Sequence, residues 1–276
     1  MKPKRSAPGL LDAYKTGHIL QYPDKTQYIL SNFTPRASRN PNIQEVVFFG
    51  LQYYIKKYLL QEWEETFFEL PKDIAINRYQ KYVEMGLGPS APPTDHIEAL
   101  WELHHLPIQI RAVPEGTLVP LRVPMYTVRN THPDFAWITN FLETQMSTVI
   151  WGMCTSATIA NQFRFVFDKY ALLTGDTSFC GWQGHDFSMR GMSSIESALT
   201  SGAAHLTSFL GTDTFPAFPF LEEFYNGEGQ FLGGSVPATE HAVVCANGIG
   251  KEKETLTRLL TKVYPEGIVS YVPDTW

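Results

Sequence analysis

The feature that most constrains this chain is a pair of short runs that combine glycine with aromatic and charged residues. The first run is GHDFSMRG at residues 184–191, and the second is GTDT at residues 211–214. Between them, Ile195, Leu199 and Leu206 recur at helical spacing, which predicts a helix. The pattern therefore predicts aromatic and charged side chains at the ends of two strands that flank one helix.

Local signals predict where this helix begins and ends. Ser193 and Glu196 have the S-x-x-E spacing of a capping box, which predicts the N-terminus. Gly211 stands where a C-cap glycine belongs, which predicts the C-terminus. A further helix is predicted over residues 251–264, followed by a short strand over residues 268–272. The order strand, helix, strand, helix favours a parallel sheet or a β/α barrel.

In the first half of the chain, the predicted strands and helices do not alternate regularly. We predict an α/β protein made of an α+β domain over residues 1–148 and the first part of a β/α barrel over residues 149–276. In the first domain, strands are predicted over residues 26–33, 106–113 and 125–128, and helices over residues 50–60, 73–85 and 135–149.

Composition excludes several classes of protein. The net charge of −6 provides no basic field for nucleic acid. Residues 144–163 carry no charge, but they contain too many amide and hydroxyl side chains to span a membrane. No apolar run follows the basic residues at positions 2–5, so no signal peptide is predicted. The three cysteines form no CxxC pair, which argues against a cysteine metal site and favours a reducing, cytoplasmic location.

Three side chains in the two glycine-flanked runs suit a flat, neutral ring that carries an amide and lies beside an anion. Phe187 can stack on a planar ring, although a lone phenylalanine also fits core packing. Arg190 offers a planar, charged fork for phosphate, although an ion pair is an equally simple role. Asp213 follows the predicted helix C-terminus, where the dipole disfavours a carboxylate, so helix stability does not explain this residue. A carboxylate at this position can accept a hydrogen bond from a ligand amide. The alternative is a turn aspartate that bonds its own backbone.

Two more regions carry candidate residues. The run SVPATEH at residues 235–241 follows two glycines, and His241 can act as a nucleophile or proton carrier, or serve a purely structural role. His185 next to Asp186 is ambiguous between a ligand contact and a buried hydrogen-bonded pair. Near the N-terminus, Tyr14 and Arg36 offer another aromatic ring and another cation. The chain has no P-loop and no dinucleotide-binding glycine motif after a strand.

Taken together, these segments resemble the nicotinamide phosphoribosyltransferase family. The resemblance runs from about residue 10 to residue 274. It rests on several ordered motifs, which are DAYK at 12–15, FFGLQY at 48–53, AVPEG at 112–116, HDF at 185–187, GTDT at 211–214 and SVPA with EH at 235–241. Each motif alone is weak, but their order along one chain is specific.

The family implies a reaction and a set of substrates. Nicotinamide attacks C1 of the ribose of 5-phosphoribosyl pyrophosphate, and pyrophosphate leaves, so that nicotinamide mononucleotide enters the salvage route to NAD. Mg²⁺ accompanies the phosphoribosyl pyrophosphate, and the family can couple ATP hydrolysis to the reaction. The resemblance implies a type II phosphoribosyltransferase barrel and a homodimer in which both subunits build each site.

The resemblance also assigns roles to residues. Phe187 is expected to stack on the pyridine ring, with Tyr14 of the other subunit on the opposite face. Asp213 is expected to hold the carboxamide, and Arg190 to lie against the ligand and its phosphate. The remaining expectations concern Arg36 on the pyrophosphate side, His241 as the histidine that is phosphorylated, and Ser270 near the amide.

The later motifs of the family, including R-P-D-S-G, do not occur in this sequence. We therefore expect the N-terminal half of the enzyme, completed by a second chain that carries the other half. Two alternatives stay open, namely a non-catalytic relative that binds nicotinamide or a partner chain, and a nicotinate phosphoribosyltransferase.

Overall fold

A computed structural model describes residues 5–273 of the chain. Short strands alternate irregularly with helices in the first half, and very short parallel strands alternate with helices in the second half. The helices are α1 (Leu51–Tyr54), α2 (Lys72–Leu87), α3 (Asp95–Leu103), α4 (Ile138–Thr174), α5 (Cys180–Gln183), α6 (Ser188–Gly191), α7 (Ile195–His205), α8 (Ala217–Tyr225), α9 (His241–Ala246) and α10 (Glu252–Arg258).

The first half contains an antiparallel sheet in the order β1–β5–β3. Strand β1 (Leu30–Phe33) and strand β3 (Ile108–Ala112) both pair with the central strand β5 (Tyr126–Asn130). All three fall within or beside the predicted strands, which are confirmed. A second pair, β2 (Glu45–Val47) with β4 (Leu118–Pro120), was missed because each strand has only three residues and no clear alternation.

The predicted helix over residues 50–60 is also confirmed, but it is longer than the pattern indicated. Helix α1 continues in wider π-helical turns over Ile55–Glu62 and Glu64–Phe68. Gly50 begins it with a φ of 111°, and a Cβ at this position would lie 2.7 Å from the sulfur of Met153. Glycine is therefore required here both by the backbone conformation and by the close approach of α4.

Helix α4 shows the largest departure from the sequence prediction. The predicted helix over residues 135–149 instead runs to Thr174 and ends at Gly175, whose φ of 93° is typical of a C-cap glycine. The predicted end at residue 149 is wrong, since the helix continues through the uncharged segment at residues 144–163 and beyond it. The predicted boundary between residues 148 and 149 falls inside this helix, and one hydrophobic core joins side chains from both sides of it. That boundary stays a prediction.

Helix α4 is held to the first half of the chain by polar as well as apolar contacts. The Thr158 hydroxyl accepts a hydrogen bond from the Val47 backbone N–H at 3.0 Å, and the Cys154 thiol donates to the Phe49 carbonyl at 3.3 Å. Burial raises the pKa of the Cys154 thiol to about 12, so this group stays a neutral donor. On its other side α4 packs against α7, where the Ser156 and Ser201 hydroxyls are 3.0 Å apart.

The parallel arrangement predicted for the second half is present at its first two strands. Strand β6 (His185–Asp186) pairs in parallel with β7 (Gly211–Thr212), and Gly234 forms a parallel bridge with Gly211. The strand predicted over residues 268–272 appears only as a bridge between Ala238 and Ser270. The helix predicted over residues 251–264 is confirmed as α10 and its continuation Leu259–Val263.

Helix α7 is confirmed, but both of its predicted limits are wrong by a few residues. The N-cap is Ser194, whose hydroxyl accepts a hydrogen bond from the Ser197 backbone N–H at 3.1 Å. Glu196 does not complete a capping box, since its carboxylate accepts hydrogen bonds from Tyr53 and Tyr58 instead. The helix ends at His205, and Gly211 begins β7 rather than capping the helix. Within residues 5–273, no helix is long and apolar enough to cross a membrane.

Candidate active site at the ends of two parallel strands

The candidate site is built on the paired strands β6 and β7. His185 is aligned with Gly211, and Asp186 with Thr212. A Cβ at Gly211 would lie 2.6 Å from the His185 Nδ1 atom, so only glycine lets the imidazole lie across the neighbouring strand. The next segment continues this arrangement, since the Thr212 N–H donates to the Gly234 carbonyl at 2.9 Å. Three chain segments therefore end side by side.

Asp186 ties these segment ends together. Its side chain is buried, and its Oδ2 atom accepts hydrogen bonds from the Thr212 hydroxyl, at 3.0 Å, and from the Thr214 hydroxyl. Its Oδ1 atom accepts from the Ser188 hydroxyl and, at 3.2 Å, from the Ser188 N–H. The Asp213 N–H donates to the Asp186 carbonyl at 2.9 Å. Asp186 is therefore buried and hydrogen-bonded, but it does not pair with His185, which is exposed and lies 2.8 Å from Asp213 instead.

Asp213 lies directly after β7 and faces two side chains from neighbouring segments. Its Oδ2 atom is 2.8 Å from the His185 Nε2 atom, and its Oδ1 atom accepts a hydrogen bond from the Ser235 hydroxyl at 2.8 Å. The premise that Asp213 follows a helix C-terminus is wrong, because a strand precedes it. The carboxylate bonds these two side chains and is 40% exposed, so it remains open to a ligand donor. Sequence reasoning did not connect Ser235 or His185 with Asp213, since 22 and 28 residues separate them.

Phe187 and Arg190 form the other side of the site. The Phe187 ring is 49% exposed, so core packing, one of its two open roles, is not observed. The Arg190 guanidinium carbon lies 5.6 Å from the centroid of that ring, within the range of a cation–π contact. The His185 ring is 5.2 Å from the Phe187 ring. An exposed aromatic face, a cation and a carboxylate are thus brought together.

A cavity of about 500 Å³ opens between the segment that carries His185 and Phe187 and helix α4. Its walls include His185 and Phe187 on one side and the apolar Ile159 and Phe163 of α4 on the other. His205 closes one end, where its ring stacks on Phe209 and its Nε2 atom is 3.2 Å from the Gly184 carbonyl. Burial lowers the pKa of His205, so this wall stays neutral at physiological pH.

His241 and Ser270 lie on the segments next to Ser235. His241 begins α9, and the Cys245 sulfur is 3.4 Å from its Nε2 atom. The Ser270 N–H donates to the Pro237 carbonyl at 2.9 Å, and the Ser270 carbonyl accepts from the Thr239 N–H at 3.0 Å. Ser270 therefore contacts the segment that carries Ser235 through backbone bonds.

Tyr14 and Arg36 belong to other parts of the structure. Tyr14 is 60% exposed on the 3-10 helix Ala13–Leu20, where its ring contacts His18. Arg36 is exposed and lines a separate cavity together with Arg122. No ring contact within residues 5–273 joins Tyr14 to Phe187, so one described chain does not bring these two rings together.

Residues 5–273 contain no group of three or more histidine, cysteine, aspartate or glutamate side chains that could hold a metal ion. The cysteines in this range form no disulfide.

Two segments of the chain match known protein families. Residues 10–65 match the family described as nicotinamide phosphoribosyltransferase, N-terminal domain, and residues 182–265 match the nicotinate phosphoribosyltransferase family. The second match contains β6, β7 and the residues around Asp213. Among solved structures, human nicotinic acid phosphoribosyltransferase superposes with a TM-score of 0.57 at 17% identity, covering 86% of this chain and 40% of that one. Nicotinate-nucleotide pyrophosphorylase from Pyrococcus furiosus gives 0.56 at 14% identity, covering 95% and 49%.

The fold is that of the type II phosphoribosyltransferases. Sequence similarity points to one group of proteins with this fold. A nicotinamide phosphoribosyltransferase from Acinetobacter baylyi is 45% identical over 272 residues, which are 96% of this chain and 54% of that protein. One from Xanthomonas campestris pv. campestris is 32% identical over 268 residues, with the same coverage of 96% and 54%. The chain is therefore similar, over nearly all its length, to the N-terminal portion of the nicotinamide phosphoribosyltransferases. It spans about half the length of these relatives.

Proposed function

We propose that this chain supplies the nicotinamide-binding half of a nicotinamide phosphoribosyltransferase. The enzyme is a pentosyltransferase that forms nicotinamide mononucleotide and pyrophosphate from nicotinamide and 5-phosphoribosyl pyrophosphate. In this role it serves NAD salvage in the cytoplasm.

The observation that carries the proposal is that His185 contacts both the Asp213 carboxylate, at 2.8 Å, and the exposed Phe187 ring, at 5.2 Å between ring centroids. A pyridine ring stacked on Phe187 presents its carboxamide N–H to an acceptor, and Asp213 is an acceptor with open surface. His185 and Ser235 hold both carboxylate oxygens in place. A ligand carboxylate at the same position would be repelled, so the arrangement favours nicotinamide over nicotinate.

In the proposed reaction these residues align the pyridine ring and stabilise negative charge. The lone pair of the ring nitrogen forms the bond to ribose C1 while the bond from C1 to the pyrophosphate oxygen breaks, and pyrophosphate leaves with that electron pair. Phe187 and Asp213 fix the direction of the ring nitrogen, which lowers the entropic part of the barrier. Arg190, beside the ring, stabilises negative charge on the phosphate of the ribose or on the product.

Mg²⁺ enters this proposal as part of the phosphoribosyl pyrophosphate substrate. The described residues offer no cluster of their own to hold it, so no step is assigned to a metal on this chain. ATP coupling is proposed to occur through phosphorylation of His241. This residue lies two positions after Thr239, whose backbone N–H donates to the Ser270 carbonyl.

A homodimer would complete the ring-binding site. Tyr14 is exposed and lies apart from Phe187 in the described chain, so a second subunit is the natural source of the opposite stacking face. Arg36, also exposed, would reach the pyrophosphate side of the neighbouring site. The remaining phosphate contacts are proposed to come from the portion of the family sequence that follows these residues in the relatives.

The proposal is tested by measuring nicotinamide mononucleotide formation from nicotinamide, phosphoribosyl pyrophosphate and Mg²⁺. The assay is run with this chain alone and with a second chain that carries the later half of a relative. Activity only in the mixture supports the proposal. If the mixture forms no nicotinamide mononucleotide but this chain binds nicotinamide, the result would instead indicate a non-catalytic binding protein.

A further inference from the structure

A buried lysine that the proposed reaction does not use stands next to Tyr14 in the sequence. Lys15 is 5% exposed and Tyr14 is 60% exposed, so the 3-10 helix Ala13–Leu20 buries one of these side chains and exposes the other. Just before Tyr14, the Asp12 carboxylate accepts a hydrogen bond from the Thr144 hydroxyl of α4 at 2.8 Å. Burying an ammonium group is costly unless its charge and its donors are matched, so the contacts of Lys15 are informative.

The Lys15 ammonium group bonds three acceptors on the first turns of α4. Its Nζ atom donates to the Asn140 Oδ1 atom at 2.8 Å, to the Asn140 carbonyl at 3.1 Å and to the Glu143 carboxylate at 2.8 Å. An ammonium group has three protons to donate, so these bonds use all of them. The residue that follows Tyr14 is therefore fixed to α4.

The Asn140 amide extends this constraint to His18. Because Lys15 can only donate, the amide oxygen of Asn140 must face it, and the amide nitrogen then faces the His18 ring. The Asn140 Nδ2 atom is 2.8 Å from the His18 Nδ1 atom, so Nδ1 accepts and His18 carries its proton on Nε2. The His18 ring in turn contacts the Tyr14 ring at an angle of 63°, with 5.1 Å between the centroids.

Stability does not explain a buried charge at this position. The N-terminal turn of a helix carries a partial positive charge, so an ammonium group there does not stabilise α4. The Glu143 side chain is 63% exposed, so its ion pair with Lys15 contributes little. An apolar side chain of similar volume often fills such a space at no loss of stability. What the lysine supplies is direction, because its bonds orient the Asn140 amide and, through it, the His18 ring.

We propose that Lys15 is a positioning residue that acts on Tyr14 through Asn140 and His18. These contacts hold the exposed Tyr14 ring in one orientation, so that it meets nicotinamide in the site of a second subunit without first having to be ordered. Such preorganisation avoids the entropic cost of immobilising a side chain on binding. The inference rests on the proposed function, in which Tyr14 stacks on the ligand of the neighbouring subunit.

The test measures the dissociation constant of nicotinamide by isothermal titration calorimetry, on the mixture of this chain with the second chain that carries the later half of a relative. Lys15→Met removes the ammonium group at similar side-chain length, and Asn140→Ala cuts the link to His18 with a residue that favours helix. Lys72→Met is the control, since Lys72 also pairs with carboxylates but lies on α2. Each substitution is repeated in a Tyr14→Ala background.

Lys15→Met and Asn140→Ala should each weaken nicotinamide binding about threefold to tenfold, and Lys72→Met should not change it. In the Tyr14→Ala background the first two substitutions should have no further effect, because a residue that acts through Tyr14 loses its influence when the ring is removed. Losses that add to that of Tyr14→Ala would indicate a general structural role and would overturn the proposal.

The failure of this inference can be told apart from the failure of the proposed function. If Tyr14→Ala weakens nicotinamide binding but Lys15→Met binds as wild type does, the positioning role of Lys15 is wrong and the stacking role of Tyr14 stands. If Tyr14→Ala binds as wild type does, the stacking role is wrong and the positioning role falls with it.

Two measurements on the chain alone test the contacts themselves. Amide hydrogen exchange in residues 13–20 should become at least about tenfold faster in Lys15→Met, while the melting temperature stays nearly the same. Long-range proton–nitrogen NMR should find the His18 proton on Nε2. Unchanged exchange in Lys15→Met, or a His18 proton on Nδ1, would overturn the proposal whatever the binding measurements give.

Discussion

The Nε2 atom of His185 lies 2.8 Å from the Oδ2 atom of Asp213, although the two residues are 28 positions apart in the sequence. The contact crosses the parallel pair β6–β7, and the Asp213 carboxylate stays 40% exposed. The same imidazole ring lies 5.2 Å from the Phe187 ring. His185 lines the cavity, and through this contact it links the cavity wall to the Asp213 carboxylate.

Replacement of Asp213 by asparagine should relax the choice between nicotinamide and nicotinate. The amide side chain lacks the negative charge that repels a ligand carboxylate, so the preference for nicotinamide should fall by at least about tenfold. The measurement is the ratio of mononucleotide formation from the two substrates, made with the mixture of both halves. Asp176→Asn, at an exposed turn, is the control. An unchanged ratio in Asp213→Asn would remove this residue from the selective role.

Truncation of Phe187 should weaken the binding of nicotinamide. By analogy with the stacking of bases on aromatic side chains, Phe187→Ala is expected to cost about 1–3 kcal/mol of binding free energy. Isothermal titration calorimetry with nicotinamide measures the effect directly. Phe165→Ala removes a similarly exposed ring from α4 and should leave binding unchanged. Wild-type affinity in Phe187→Ala would contradict the stacking role.

Removal of the Asp186 carboxylate should destabilise the second half of the molecule. Asp186→Ala leaves the hydroxyls of Ser188, Thr212 and Thr214 without their buried acceptor, which should lower the free energy of unfolding by about 3 kcal/mol. Urea unfolding followed by circular dichroism measures this change.

A matched control for this variant exists within the chain. Asp176 accepts hydrogen bonds from the N–H and hydroxyl of Ser178, two residues later, as Asp186 does from Ser188, but it lies on the surface. Asp176→Ala should therefore change stability far less. Equal effects of the two substitutions would mean that burial of Asp186 is not what makes it important.

The observed N-cap of α7 is Ser194, and the N-cap predicted from the sequence is the adjacent Ser193. Ser194→Ala removes the hydroxyl that accepts from the Ser197 N–H and should cost about 1 kcal/mol of stability. Ser193→Ala should cost clearly less, because Ser193 lies outside the observed cap. Thermal unfolding of both variants measures the difference. A larger loss in Ser193→Ala would favour the capping box predicted from the sequence.

Acid should destabilise the molecule through His96. Burial beside the Trp137 ring lowers the pKa of His96 to about 4 in the folded state, below its ordinary value near 6.5 in the unfolded chain. Between these two values the unfolded state binds more protons, so stability should fall as the pH falls through this window. The loss should reach about 2 kcal/mol near a pH of about 5.

Substitution of His96 isolates this contribution. In His96→Asn the part of the pH dependence between about 6.5 and about 4 should flatten, since no group is left to take up the proton. The exposed His105→Asn is the control and should keep the original profile. Urea unfolding at a series of pH values gives both curves, and parallel curves for wild type and His96→Asn would refute the assignment.

Much of the local structure was predictable from the sequence because it depends on neighbours along the chain. The helical spacing of apolar residues predicted α2 and α7, and the alternation of apolar and polar residues predicted β3. The bounds of β3 agree with the predicted segment to within two residues at each end. The sequence also showed Phe187, Arg190 and Asp213 in glycine-flanked runs. Phe187 and Asp213 directly follow the paired strands β6 and β7, and Arg190 lies in the short helix α6.

The errors arose where the deciding interaction came from a distant residue. Glu196 has the spacing of a capping-box glutamate, but the hydroxyls of Tyr53 and Tyr58 offer it stronger partners, and the cap moves to Ser194. Helix α4 continues far beyond its predicted end because it packs along both halves of the molecule, and this packing is absent from any local window.

The sequence by itself therefore determined the types of element, their order and the residue types available for recognising a planar amide. Only the tertiary structure decided which of those residues meet. It joined His185 and Ser235 to Asp213, because parallel pairing aligns the ends of segments that lie more than 20 residues apart. The physical reason is that period and capping are encoded within a few neighbouring residues, while the partners of a buried or clustered polar group are chosen by the packing of the whole chain.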